Sequence, residues 1–448
     1  MGSGTCMRSS GARAVVVLTA ALLLRRAWEA RQVRRSSQWR TTSLAAAPEP
    51  GTADSHRLVC VVPVYLEQDI AKATVRFWHG LVGQGALFDQ VLLVSTAKEQ
   101  VASGPTTHDL IEAEIRRLDA DPDRIRLLRC EDVTRFRASQ LNLAVHAARA
   151  RFDPSAANPS SIWVGIYNAD SRPQAGTFAE LRTRALAEPR TRVFQQLVSY
   201  IVPERGRSGL VAAGNSVLQT WWTFSHYVSR NSRGMAGDTV WSRTSPYSTF
   251  GHGEFIRLDL LDHIGGFPDF AYADGLLLGW ICRLACEPIG LLASLDVAEV
   301  PRSARDLVIQ QTAWLTGLLN FGATVRWCRE HGVLRLPSRE VRLLQAQHLA
   351  IPVAWGLSTV AVTSGIVSAV WRMRRGGSAA RGLALVAGLV AYPVIPALAP
   401  AIQHGAGTSP GKRVLGTLAT WPVEGLAFWP ALRGRLRRSQ QAPAKTPR

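Results

Sequence analysis

Cysteine is scarce in this chain of 448 residues, and the six present (Cys6, Cys60, Cys130, Cys282, Cys286 and Cys328) follow no framework. No histidine pair completes a zinc spacing beside them. A disulfide scaffold and a structural zinc site are therefore excluded, and buried, reduced thiols in a cytoplasmic body are expected. The middle of the chain also lacks net charge. The total is +19, but residues 1–40 carry +7, residues 431–448 carry +6, and Arg372, Arg374, Arg375 and Arg381 add four more. Only about +2 remains for everything else. A basic groove would hold its cations within the folded body, so no nucleic-acid partner is expected. Internal repeats are missing too, which excludes solenoids and propellers.

What is there begins with the apolar segments that the charged stretches flank. Leu349–Val370 and Gly382–Gln403 each run about 22 residues without a charge, enough to cross a bilayer core. Val414–Leu432 is weaker, since it holds Pro422, Glu424 and Pro430; it reads as a third span or as a helix in the interface. Ala14–Leu24 is a short apolar run between Arg13 and Arg25–Arg26, with no small-residue cleavage site after it. An uncleaved anchor is expected there. The chain thus divides into a basic N-terminal segment with a short anchor (1–40), a linker (41–56), an α/β body (57–305), interfacial helices (306–347), transmembrane helices (348–432) and a basic tail (433–448). Membrane lipids are expected partners of a multi-pass membrane protein whose body is cytoplasmic. The number and orientation of spans stay open, because Arg372, Arg374 and Arg375 after a single crossing would break the positive-inside tendency.

Strands and helices alternate after the small, polar stretch at 36–55. "RLVCVVPVY" (57–65), "QVLLVST" (90–96), "RIRLLRC" (124–130) and "SIWVGIYN" (161–168) are compact apolar runs. Between them lie helical patterns at 69–85, 107–120 and 138–152, and two further helices are expected around 177–188 and 215–230. Such an order implies an α/β fold with a doubly wound, mostly parallel sheet. A Gly/Ser-rich stretch follows at 229–250, and "QTWWTF" (219–224) reads as aromatic packing.

The fourth run ends abruptly in Asn168, Ala169, Asp170 and Ser171. Such residues make turns at strand ends, but open α/β sheets also bind ligands there. A departing diphosphate builds negative charge that a hard divalent cation on a strand-end carboxylate would neutralise, and Asp170 could hold one. Further on, Gly251 and Gly253 bracket His252, and Asp274 opens an apolar helix. An aspartate there is an N-cap or a general base that deprotonates a hydroxyl; the residues alone leave both open.

Eight short pieces come in a telling order: "VVPVYLEQD" (61–69), "RASQLN" (137–142), "NADSRP" (168–173), "GHGEFIR" (251–257), "GGFPD" (265–269), "ADGLLLGW" (273–280), "EVP" (299–301) and "QQTAW" (310–314). Together they resemble the membrane-bound, cellulose-synthase-like type of family 2 inverting glycosyltransferases, over roughly residues 57–315. The resemblance implies a glycosyltransferase A type sheet followed by transmembrane helices, a nucleotide-sugar donor, Mg2+ or Mn2+, and a lipid-linked or glycan acceptor. It places Asp170 at the second aspartate of the metal-binding DxD element and Asn168 at the first. Asp274 matches the base aspartate, Arg137 a cation near the diphosphate, and Glu67 an acid near the nucleoside. Gln310 and Trp314 match the outer letters of QxxRW below the acceptor channel, and His252 and Glu254 would border the acceptor. Departures are Asn168 itself, Ala273 beside the base, Ser95 and Thr96 where an aspartate usually meets the nucleotide, and Ala313 in place of the QxxRW arginine. Losing that cation favours a single-addition transferase over a processive synthase. The alternative is a catalytically inactive membrane scaffold or assembly subunit. Arginine outnumbers lysine 48 to 4, a bias that suits a GC-rich bacterial genome and hence a cell-envelope glycan.

Overall fold

The computed structural model describes residues 4–45, 56–85, 88–100, 103–132, 137–152, 158–203, 209–237, 239–270, 274–399 and 408–436. Ala273, residues 46–55 of the expected linker and residues 437–448 of the tail lie outside these.

The N-terminus departs from expectation. The short anchor is one part of α1 (Gly4–Ala45), a helix of 42 residues that also takes in residues 41–45 of the linker. Tertiary contacts hold its polar half. Ser36 Oγ donates to the Phe224 carbonyl at 2.7 Å, and Arg40 Nε donates to the Ala293 carbonyl at 2.8 Å. These two bonds dock the polar half of the helix on the body.

The body then follows the alternation read from the sequence: β1 (Arg57–Pro63), α2 (Ala71–Gly83), β2 (Gln90–Thr96), α3 (Thr107–Arg117), β3 (Ile125–Cys130), α4 (Arg137–Arg151) and β4 (Ile162–Ile166). Thr106 starts α3 with a reciprocal capping box to Asp109, which satisfies two backbone donors. After β5 (Arg172–Pro173) come α5 (Thr177–Ala187), β6 (Val193–Ile201) and α6 (Leu210–Trp222). A π-helical turn, Thr223–Tyr227, joins α6 to α7 (Val228–Met235), which is followed by α8 (Val240–Arg243). The stretch read as Gly/Ser-rich loop is thus partly helical. β7 (Glu254–Arg257), α9 (Leu258–His263), α10 (Asp274–Leu284) and β8 (Ile289–Glu299) complete the body.

The eight strands form one sheet in the order β3-β2-β1-β4-β7-β6-β8-β5. β3, β2, β1 and β4 are parallel, with Val61 opposite Leu92 and Ile166. The sheet is mostly parallel as expected, four of its seven pairings being parallel, but its second half is mixed. β7 runs antiparallel to both β4 and β6, and β5 antiparallel to β8, while β6 and β8 are parallel. Direction is set by the loop before β7, where Gly251 and Gly253 both take positive φ (83° and 61°) and turn the chain back. Apolar run length carries no such information. Both faces of the sheet are covered. Trp78, Tyr167, Phe178 and Phe194 fill one side, and Leu141, Trp221, Trp280 and Phe321 the other. Cys60, Cys130, Cys282 and Cys328 are buried free thiols, as expected, but Cys286 is exposed.

Helices α11 (Ala304–Leu319) and α12 (Phe321–Glu330) lead to α13 (Ser338–Arg374) and α14 (Ala379–Leu398). α13 and α14 are the two described helices long and apolar enough to cross a membrane. The weaker third segment breaks at Ala427 into α15 (Pro410–Leu426) and α16 (Phe428–Leu436). α15 presses onto α6 through glycines: a Cβ on Gly214 would stand 2.1 Å from the Gly416 carbonyl oxygen. This contact ties the C-terminal helices to the body.

Candidate active site

At the carboxyl ends of β1 and β4 the structure opens into a cavity of about 1280 Å³, large enough for a sugar nucleotide and more. Glu67, Arg137, Asn168, Asp170, His252, Asp274, Gln310 and Trp314 all line it. Residues 170 and 274, far apart in sequence, therefore face one space.

Each side chain is delivered by a distinct local device. Asp170 sits in the turn after β4, where its Oδ2 accepts from the Glu299 backbone N–H at 3.0 Å. Asn168 closes that turn, accepting from Ser171 N at 3.1 Å. Glu67 follows Leu66, whose φ is +53°, and its N–H donates to Thr107 Oγ1 at 2.9 Å. The loop at residues 248–253 carries His252 and is held by Asp296, a wholly buried residue of β8. Asp296 Oδ2 lies 2.8 Å from His252 Nδ1 and accepts from Ser171 Oγ at 2.8 Å, while Oδ1 accepts from the Arg172 N–H at 3.1 Å. One carboxylate thus locks the Asp170 turn to the His252 loop.

Asp274 is the first residue of α10 and is buried. Its position depends on glycines that let α10 touch the 248–251 loop. A Cβ on Gly275 would lie 2.1 Å from Gly251 Cα, and one on Gly279 2.3 Å from Thr249 N. Arg137, at the start of α4, donates Nη1 to Asp274 Oδ2 at 3.2 Å and Nη2 to the Gly251 carbonyl at 2.8 Å. The residue expected against a diphosphate is therefore also the clamp of the expected base.

Glu254, expected at the acceptor, is placed away from the cavity. It is wholly buried in β7 and absent from the cavity wall. Its Oε2 accepts from the Gly251 N–H at 3.3 Å. Burial, then the charge of Asp274, pushes its carboxyl up to about 7. The alternation of β7 turns it inward, opposite Ile166 and Gln195. Gln310 is engaged too, its Oε1 accepting from Gln219 Nε2 at 2.9 Å, and Trp314 is half-exposed beside it.

Among the described residues, no group of three or more His, Cys, Asp or Glu side chains could hold a metal ion. The oxygen donors at the cavity wall, Asp170 with Asn168 and Glu299 beside it, suit a hard cation that takes one or two carboxylates and completes its shell with substrate phosphate and water. They fit Mg2+ or Mn2+ in that mode and do not form an all-protein cage.

The fold has a solved counterpart. The mannosyltransferase PcManGT from Pyrobaculum calidifontis, in complex with GDP-Man and Mn2+, superposes with a TM-score of 0.51 at 15% identity, over 95% of this chain and 99% of that one. This chain has a glycosyltransferase-type fold. Mannosyl-3-phosphoglycerate synthase from Rubrobacter xylanophilus is more distant, with a TM-score of 0.34 at 15% identity over 63% of this chain and 77% of that one. No family model and no curated protein matches the sequence.

Sequence reasoning missed Asp296 and Thr249. "SLDVAEV" reads as a plain strand, and nothing in it marks Asp296 as the link between two loops. Thr249, whose Oγ1 donates to the Gly275 carbonyl at 2.5 Å, is one hydroxyl in a Ser/Thr-rich stretch.

Proposed function

We propose that the chain is a membrane-bound glycosyltransferase that moves a sugar from a nucleotide-sugar donor to a hydroxyl of a lipid-linked or glycan acceptor, with inversion. The observation that carries the reading is the convergence of Asp170 and Asp274 on one cavity at the carboxyl edge of the sheet. Asp170 is the residue to hold a divalent cation; when bound, Mg2+ or Mn2+ supplies positive charge for the leaving diphosphate. Arg137 holds the Asp274 carboxylate in place and adds a guanidinium to the same wall.

Asp274 takes the proton of the acceptor hydroxyl as its oxygen attacks C1 of the sugar from the face opposite the diphosphate. The new C–O bond forms, the C1–O bond to phosphate breaks, and the diphosphate leaves with the electron pair. One displacement inverts the anomeric centre and needs no covalent enzyme intermediate. Glu67 and Asn168 flank the nucleotide, and His252, Gln310 and Trp314 flank the acceptor.

Purified full-length protein, supplied with Mn2+ or Mg2+ and a panel of GDP- and UDP-sugars, is expected to release nucleoside diphosphate, and the product anomer read by NMR is expected to be inverted. A retained anomer overturns the mechanism. Asn168, Ala273 and Ala313 favour the second reading, an inactive membrane scaffold. It prevails if no donor is bound or hydrolysed and Asp274→Asn changes no phenotype.

A further inference from the structure

The cavity does not end at the donor site. It continues past Phe250, whose ring lies 4.3 Å from that of Tyr227, to a cluster of arginines on α1 and α7. Arg25, Arg26, Arg230 and Arg233 all line this end. Among the described residues two acids of the cavity wall answer them, Glu29 and, through Arg26, Glu424 of α15. Glu29, wholly buried, accepts from Arg25 Nε at 2.9 Å, from Arg26, and from Trp221 Nε1 at 2.9 Å, and lies 3.1 Å from His226 Nε2. With those partners it is saturated. Among the described residues, the guanidinium groups of Arg230 and Arg233 make no hydrogen bond and no ion pair. Burial, then the charges of Arg25 and Arg233, pulls Arg230 down to about 10, so it stays charged at neutral pH. Four cations against two carboxylates, with Arg230 and Arg233 in no ion pair, is an arrangement that asks for an anion.

Beyond the arginines the wall belongs to the C-terminal helices and is largely apolar, with Gln347, His348, Ser358 and Glu424 as its polar members. Ala350, Ile351 and Ala354 of α13, Tyr392 of α14 and Trp421 of α15 continue the same cavity. α13 and α14 are the two helices able to span a membrane. A free inorganic anion has no use for such a lining, whereas an alkyl chain does.

We infer that Arg230 and Arg233, with Arg25 beside them, form a subsite for the phosphate of a lipid-borne acceptor whose chain runs along α13 and α14. The inference rests on the transferase reading and names its acceptor class. The phosphate is held at the membrane end of the cavity, apart from the donor diphosphate, and the acceptor hydroxyl is presented toward Asp274. The π-helical turn Thr223–Tyr227 supports this placement, since it resets the helical phase between Trp222 and Arg230.

The test uses the purified full-length protein in a non-ionic detergent, with dodecyl phosphate, dodecanol and inorganic phosphate as probes, read by native mass spectrometry. Dodecyl phosphate is expected to bind at least about tenfold more tightly than either of the others, since charge-assisted pairs add to apolar burial. The double variant Arg230→Gln/Arg233→Gln is expected to lose at least about tenfold of that affinity while binding GDP with Mn2+ as before. Arg230→Lys/Arg233→Lys, which keeps the charge, is expected to recover most of it, and it serves as the readout if the glutamine variant does not fold. Equal binding of dodecanol, or an unchanged affinity in the glutamine variant, overturns the subsite. Equal binding of inorganic phosphate overturns its lipid part. Failure to bind any nucleoside diphosphate, with the dodecyl phosphate results intact, overturns the transferase reading and leaves the anion subsite standing.

Discussion

Replacing Asp274 with asparagine removes a proton acceptor and changes almost no volume. The carboxamide oxygen can still accept from Arg137 Nη1, which stands 3.2 Å from the carboxylate. Arg137 keeps its bond to the Gly251 carbonyl, and its side chain is 28% exposed to the cavity. The lost ion pair should therefore cost only about 1 kcal/mol of stability, and Asp274→Asn should fold. Catalysis is another matter. A positioned general base contributes about 10²–10⁴-fold, or about 3–5 kcal/mol of barrier. The turnover number should fall by that factor while the donor KM moves by less than about threefold, because asparagine still fills the donor wall. The assay is release of nucleoside diphosphate under saturating donor and acceptor, alongside a thermal melt to confirm folding. A variant that melts like the wild type and keeps more than a third of its turnover would refute Asp274 as the base and leave it a helix cap.

Asp170→Ala should weaken nucleoside diphosphate binding by about tenfold or more in Mn2+, and make the affinity insensitive to EDTA; calorimetry with and without chelator reads both. Glu254 offers a pH signature. Its folded carboxyl sits at about 7, above the ordinary value of 4.5, so the folded state binds more protons than the unfolded one between these values. Stability is then lost as pH rises through that window, by up to about 3 kcal/mol. Glu254→Gln should be near neutral at pH 5 and stabilising at pH 8, and denaturant melts at the two pH values that show no such difference would overturn this. Gly275→Ala should cost about 1–3 kcal/mol from overpacking, since its Cβ would meet Gly251 Cα at 2.1 Å. It should also lower turnover, because Gly251 anchors Arg137; a melt and turnover equal to wild type would count against that close contact.

Much of the framework is legible in the sequence. The four apolar runs became β1 to β4 in parallel, and Asp274 did open a helix. Glu254 was misread because an acid two residues after His252 looks like a companion on the same rim. In a strand, alternate side chains share a face only while the strand lasts, and β7 begins at Glu254 itself. The small, polar stretch that begins at residue 36 is helical as far as Ala45, which local pattern does not show. Its side chains Ser36 and Arg40 dock on carbonyls 188 and 253 positions away.

By itself, the sequence determined what local chemistry can determine: which runs bury, where helices start, and which acids stand at strand and helix ends. These follow from side chains within a few residues of one another, where apolar periodicity and capping act. Tertiary structure alone decided strand direction in the second half of the sheet, the locking of two loops by Asp296, and the joining of the arginine cluster to the same cavity as Asp274. Each of these rests on contacts between distant segments, and no local pattern encodes which carbonyl, carboxylate or cation a folded chain will bring alongside.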